Sequence, residues 1–290
     1  MTKWRVLSAT VVLATWCVRC SMAQTLSIPA QELVRQTVQN EVNANGNAKY
    51  MFRDRKETQR GSQTRLMVET KDSMVGLVMA YDDHPLTPEQ RKNEQARVGR
   101  FLKNPDELKR KQKQERDDAE RITKIVRALA DAFLYEYDGT EPGRPGVGKV
   151  GHELVRLTFR PNPDYDPPSR VEQVLTAMHG HMLIDNNEHR IALIDGTLMK
   201  EVSFGWGILG HLDRGGRFLV EQGDVDNGHC EITRMSLAFT GKILIFKSLN
   251  IKSDEVYSHF HRVPPDLTFA QGLELLQKQE AALAENHPQR

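Results

Sequence analysis

The stretch HMLIDNNEHRIALIDGTL, residues 181–198, decides the fold. Two apolar runs flank an Asp/Asn cluster that is long enough for a turn and far too short for a crossover helix. Segments joined this way pair antiparallel with one another. The same pattern continues outward through GRFLVEQGDV (216–225), CEITRMSLAF (230–239), KILIFKSLNI (242–251) and DEVYSHFHRV (254–263). A run of short strands with turn-sized gaps predicts a large antiparallel sheet.

Working back toward the N-terminus, residues 29–42 read as an opening helix. Proline suits its first turn, and Val34, Val38 and Val42 share one side. Three strands follow, over 49–59, 64–70 and 74–81. The second places Thr64, Leu66, Val68 and Thr70 on one weakly apolar face. The third is apolar on both faces, which requires something to lie over the sheet. The cover expected is the next segment. Thr87-Pro88-Glu89-Gln90 has the capping-box pattern, and Asn104-Pro105-Asp106-Glu107 repeats the signature, so two helices meet near residue 104. The second opens with a charged run over 109–121 and turns amphipathic at Ile122, Ile125, Val126 and Leu129. Because Lys/Arg and Asp/Glu are interleaved in that run, it reads as a solvated helix face rather than a nucleic-acid arm.

Beyond the helices, Phe133, Tyr135 and Tyr137 alternate as in a strand, 138–148 is a glycine- and proline-rich loop, and 152–159 is another strand. Residues 170–178 are compatible with helix or strand. Asp266 or Thr268 caps a closing helix running through Leu273 and Leu276.

The first 23 residues read as an export signal. Lys3 and Arg5 precede an apolar run over 6–18, and Ser21-Met22-Ala23 offers small residues for cleavage after Ala23. The apolar run is too short for a membrane-spanning helix, so the expected mature chain, 24–290, is a single exported domain, periplasmic or secreted, with no transmembrane segment. Removing three basic residues from 40 leaves 37 against 39 acidic ones. Near-neutrality gives no electrostatic case for nucleic acid. Cys17 and Cys20 depart with the signal, so Cys230 stands alone and neither a disulfide nor a cysteine-type metal cluster can form.

Motifs with chemistry are few. Gly143 to Lys149 has the spacing of a phosphate-binding loop, but Val150 replaces the hydroxyl residue and a strand follows instead of a helix. His152-Glu153 opens like a zinc-protease helix, yet Arg156 stands where the second histidine belongs. Two His-x-His pairs, His179/His181 and His259/His261, each place two imidazoles on one strand face. On adjacent strands they would converge on one metal ion, the basis of an alternative reading as a metal-dependent hydrolase. The polar surroundings expected for the second pair, with Tyr257 on its face and Val256 and Phe260 opposite, favour a solvent-facing strand. No cofactor is expected. Phe204-Gly205-Trp206-Gly207 reads as a glycine-punctuated apolar patch at a sheet corner, or as the rim of a pocket.

The order of elements, together with HMLIDNNEHRIALIDGTL, FGWGILGHLDRGGRFLVEQGDV and KSLNIKSDEVYSHF, resembles uncharacterised exported bacterial proteins related to the outer-membrane lipoprotein-sorting family, the periplasmic lipoprotein carriers. The resemblance spans 49–260 and is strongest after Gly180. It implies an α+β fold: a strongly curved antiparallel sheet, or half-open barrel, with helices packed over the concave face. The helical segment at about 87–131 is an insertion relative to the compact carriers. The resemblance further implies a cavity for acyl chains, with Leu66, Val68, Val75, Leu77, Met79, Tyr81, Phe204 and Trp206 as its candidate lining. The expected function is non-enzymatic, a carrier or sensor of a lipid or a lipidated protein. The alternative is a structural protein of the cell envelope with a filled core, meeting a protein partner through the charged helix at 105–121.

Overall fold

The computed structural model describes residues 28–44, 48–205, 209–243 and 247–286. The expected signal segment and Trp206 therefore lie outside the described residues. The chain opens with α1 (Ala30–Asn43), then β1 (Lys49–Thr58), β2 (Gly61–Val68), β3 (Val75–Tyr81) and β4 (His84–Pro85). Two helices follow, α2 (Pro88–Lys103) and α3 (Pro105–Ala132), then β5 (Phe133–Pro142) and β6 (Glu153–Pro161). A short α4 (Arg170–Gln173) runs into a 3₁₀ turn (Val174–Ala177). The remainder is β7 (Met178–Asp185), β8 (Arg190–Leu198), β9 (Val202–Phe204), β10 (Gly210–Leu212), β11 (Arg217–Asp224), β12 (Cys230–Ile243), β13 (Lys247–Val263) and α5 (Phe269–Asn286).

These strands form one thirteen-stranded sheet in the order β4-β3-β2-β1-β13-β12-β11-β8-β7-β6-β5, with β9 and β10 attached beside β12. Each strand ladder is antiparallel. The edge strands β4 and β5 do not pair among the described residues, so the sheet is an open half-barrel. The long return of β13 to β1 brings the N-terminal strands beside the C-terminal ones. Local chemistry sets the corners. Asp82 and Asp83 both take positive φ, 48° and 60°, as the tight turn between β3 and β4 requires. Asp82 also accepts a hydrogen bond from the Ser62 N–H at 2.7 Å, tying that turn to β2.

The capping box at Thr87 forms as its spacing predicts: Thr87 Oγ1 accepts from Gln90 N–H at 3.2 Å, and Gln90 Oε1 accepts from Thr87 N–H at 2.9 Å. Asn104 ends α2 and caps α3 through its side-chain oxygen. Helix α3 carries i,i+4 pairs such as Lys113–Asp117 within the charged run and Lys124–Glu120 at its end. Glu115, itself paired with Lys111, has a further role. It accepts from Ser73 Oγ at 2.6 Å and Met74 N–H at 3.2 Å, anchoring the helix to the corner between β2 and β3. Residues 170–177 resolve to helix and 3₁₀ turn, with Ser169 capping α4 and Leu175 and Ala177 buried, and Met178 begins β7.

The interior has three parts. In the main core, α1 and α3 pack against one face of β5–β8, around Leu33, Leu129, Phe133, Leu157 and Met182. A second core sits where α2 and α5 cover β1–β3. A third, smaller cluster lies on the opposite face of β6–β8, where Val147 meets Leu154, Leu183 and Leu193. Val147 belongs to the loop that mimics a phosphate-binding sequence. That loop is a surface cover: Gly148 N–H donates to Gln222 O at 2.7 Å, and Thr233 Oγ1 donates to Gly146 O at 2.6 Å.

Candidate functional site

Helices reach the sheet chiefly at its two flanks, α1 and α3 on β5 and β8, and α2 and α5 on β2 and β3. The strands between these groups carry apolar side chains toward the gap, and the gap is hollow. Its volume is about 1130 Å³, at the upper end of what small-molecule sites occupy. One wall is the stripe Ile122, Ile125, Val126 and Leu129 of α3, spaced i, i+3, i+4, i+7 so that all four point the same way. The sheet wall includes Met182, Ile194, Val220, Met235, Leu237 and Phe239. The alternation of β12 is kept on this side despite a bulge at its Thr233, which resets the register between Glu221 and Gln222.

The hollow opens to solvent. Ile122, Val171, Ile232 and Ile251 line it and remain 39–61 % exposed. Four large aliphatic side chains left in water around one opening form the kind of patch that ligands or partners cover.

One end of the cavity is polar, lined by Glu41, Lys49, Glu69, Lys71, Arg190 and Glu231. Glu41 and Arg190 satisfy each other: Arg190 Nε and Nη2 donate to the two Glu41 oxygens at 3.0 Å each, and Ile191 N–H adds a third bond at 2.7 Å. Glu69 accepts from Tyr50 N–H at 2.9 Å, and burial raises its carboxyl above the usual range. Burial, followed by the nearby Glu69 charge, pushes Glu231 up to about 7. Burial likewise pushes the Cys230 thiol up to about 11, so it is a wall atom here rather than a nucleophile.

The residues expected to line a cavity from the sequence sit elsewhere. Leu66, Val68, Val75 and Leu77 are buried in the second core against Val98, Phe269, Leu273 and Leu276, and Met79 packs at its margin. That part of the sheet is closed because α2 and α5 supply apolar side chains to fill it. Tyr81 is exposed, and Phe204 packs on the edge of the main core without lining the hollow. Gly205, directly after β9, takes φ 56°, a left-handed conformation that favours glycine.

The two histidine pairs do not converge. His179 and His181 lie on β7, His259 and His261 on β13, with β8, β11 and β12 between them. Four strand spacings, roughly 19 Å measured along the curved sheet, lie between the pairs, and among the described residues they do not come together as a group of metal-ligating atoms. Nor does His259/His261 keep simple alternation. A bulge opposite Phe52, with His259 at φ 56°, turns Phe260 onto the side of Tyr257. Both rings then flank Phe52, at centroid distances of 5.3 and 6.0 Å. A different mixed group does assemble, Glu201, His211 and Asp213, with one ligand atom from each within 4.8 Å of the others. Pairing of β9 with β10 creates it, so no local spacing announces it. Ser203 and Thr240 hydroxyls already donate to its carboxylates, as in a surface polar network.

Among the described residues, no helix is long and apolar enough to cross a membrane. No protein-family description and no curated protein matches the chain. Among solved structures it is similar to the crystal structure of a DUF1329 family protein from Desulfovibrio piger. The identity is 13 % and the TM-score 0.31, with 86 % of this chain and 99 % of that chain covered.

Proposed function

We propose that this protein is a non-enzymatic carrier or sensor, exported from the cytoplasm, that shelters the acyl chain of a lipid or of a lipidated protein. The observation that carries this reading is the open hollow of about 1130 Å³ between the two helix groups, walled by aliphatic and aromatic side chains. The driving force is ordinary hydrophobic transfer. A chain of a dozen methylenes gains about 10 kcal/mol on leaving water, at ~0.8 kcal/mol each. Lost chain and rotational freedom offsets a large share of that gain. A filled core, the alternative expectation for an envelope structural protein, is opposed by the hollow itself.

The test has two parts. Organic extracts of the protein purified from its native envelope are analysed by mass spectrometry, and displacement of an environment-sensitive fluorescent fatty acid is measured on delipidated protein. Co-purifying acyl species and saturable displacement are expected. Met235→Trp, which narrows the hollow from the sheet wall, weakens both. Clean extracts together with no saturable uptake by the wild-type chain would overturn the reading.

A further inference from the structure

The polar end of the cavity is not evenly supplied with partners. Arg190 is consumed by Glu41, each group satisfying the other. Lys71 is exposed, so water solvates its ammonium without help from the protein. Glu69 and Glu231 are partly withdrawn from water, yet neither has a cation within ion-pair distance among the described residues. Glu69 has one backbone donor, from Tyr50, and Glu231 has no hydrogen bond to another described residue. Lys49, half-buried at the same end, stands near both carboxylates but forms an ion pair with neither. Two carboxylates therefore share one ammonium at a distance, and acceptors outnumber donors at this end of the apolar compartment.

We infer that this end receives the head of an amphiphile bearing a protonated amine, with Glu69 and Glu231 as its acceptors and the aliphatic wall taking the chain. The inference rests on the acyl-chain reading of the cavity and narrows it to a headgroup class. An ammonium brings three N–H donors and a positive charge. Donated to two desolvated carboxylates, those bonds are charge-assisted on both sides. A carboxylate head at the same place would add a third negative charge, with the single Lys49 ammonium to offset all three. A hydroxyl head would satisfy one acceptor and cancel no charge.

Glu231 makes the preference depend on pH. The groups facing it are Glu69 after β2, Arg190 on β8, Lys49 and Tyr50 on β1, and Glu41 on α1. With its carboxyl pushed up to about 7, it is mostly ionised at pH 8 and mostly protonated at pH 6, whereas an alkyl ammonium keeps its charge across that interval.

The experiment compares dodecylamine, dodecanol and sodium dodecanoate, all below their micellar concentrations, as competitors for a fluorescent probe on the full chain. Each is measured at pH 8 and pH 6 on wild type and on Glu231→Gln, which keeps the side-chain shape. At pH 8 the amine is expected to bind at least about tenfold more tightly than the alcohol, the size of one charged hydrogen bond. That advantage contracts at pH 6 and in E231Q, while alcohol binding stays within about twofold. Uptake of the alcohol with no advantage for the amine overturns the headgroup assignment alone, as does a preference for dodecanoate. Failure of all three to compete, the alcohol included, overturns the acyl-chain reading and this inference with it.

Discussion

Replacing Leu77 by alanine separates the closed part of the interior from the open part. Leu77 is 1 % exposed, stands opposite Leu66 across the β2–β3 ladder, and belongs to the core closed by Val98 of α2 and by Leu273 and Leu276 of α5. Three carbons are lost in Leu77→Ala. Their transfer from water contributes about 2.4 kcal/mol at ~0.8 kcal/mol per carbon. The void adds to this, because two helices and a three-stranded ladder hold its walls apart, bringing the total to about 3–4 kcal/mol. Leu237 of β12 is the control. It is half-buried and faces a space that is already empty, so Leu237→Ala costs less than about 1 kcal/mol, since fewer packed contacts disappear. Equilibrium unfolding in urea reads both, with midpoints compared at unchanged m-values. Fatty-acid uptake per folded molecule is measured on the same samples. Leu77→Ala lowers the midpoint and leaves uptake intact, whereas Leu237→Ala alters uptake and barely moves the midpoint. Equal midpoints for the two variants, or loss of uptake in Leu77→Ala, would refute the division between filled core and hollow.

Three further outcomes follow from the geometry. The Glu231 carboxyl is pushed up from 4.5 to about 7 in the folded chain, so between those values the native state holds a proton that the unfolded state has released. Stability of ligand-free protein therefore falls as pH rises from about 4.5 to 7; Glu69 and Asp54, raised chiefly by burial, act in the same direction. Glu231→Gln makes the slope in chemical-denaturation midpoints shallower, and an unaltered slope would contradict the assignment. Gly180 on β7 lies opposite Gly196 on β8, and a Cβ there would meet Asp195 O at 1.8 Å. Gly180→Ala should force the two strands apart and sharply reduce soluble yield; a variant melting at the wild-type temperature would count against this register. Finally, Cys230, with its thiol pushed up to about 11, reacts with maleimide at pH 7.5 far more slowly than a free peptide thiol. Because it lines the cavity, bound fatty acid slows it further, and labelling indifferent to ligand would place it outside the occupied space.

Much of the architecture is legible in local patterns because its causes are local. The turn cluster after Ile184 allows only antiparallel pairing. The Thr87 and Asn104 caps place two helix starts within a residue. The stripe at Ile122, Ile125, Val126 and Leu129 marks the face of α3 that turns inward. Where alternation alone guides the reading, a bulge defeats it. Residues 257–261 look like a simple strand, yet Phe260 leaves its expected side to stack on Phe52, a residue some two hundred positions away in the chain.

The candidate lining shows the same division. Leu66, Val68, Val75 and Leu77 are correctly read as an apolar face that needs a cover. Met235, Leu237 and Phe239 form an equally apolar face that has none. Nothing in either run distinguishes them, because each pattern reports only that one side of a strand avoids water. The chain by itself thus determined the strands, the helix starts and the antiparallel sense of the sheet, all products of neighbours within a few residues. Which apolar face is filled and which stays hollow was decided in three dimensions, by where α1 and α3 land on one flank and α2 and α5 on the other. The gathering of Glu69, Arg190 and Glu231 at one end of the hollow was decided there too, since strands distant in sequence become neighbours only when β13 closes against β1.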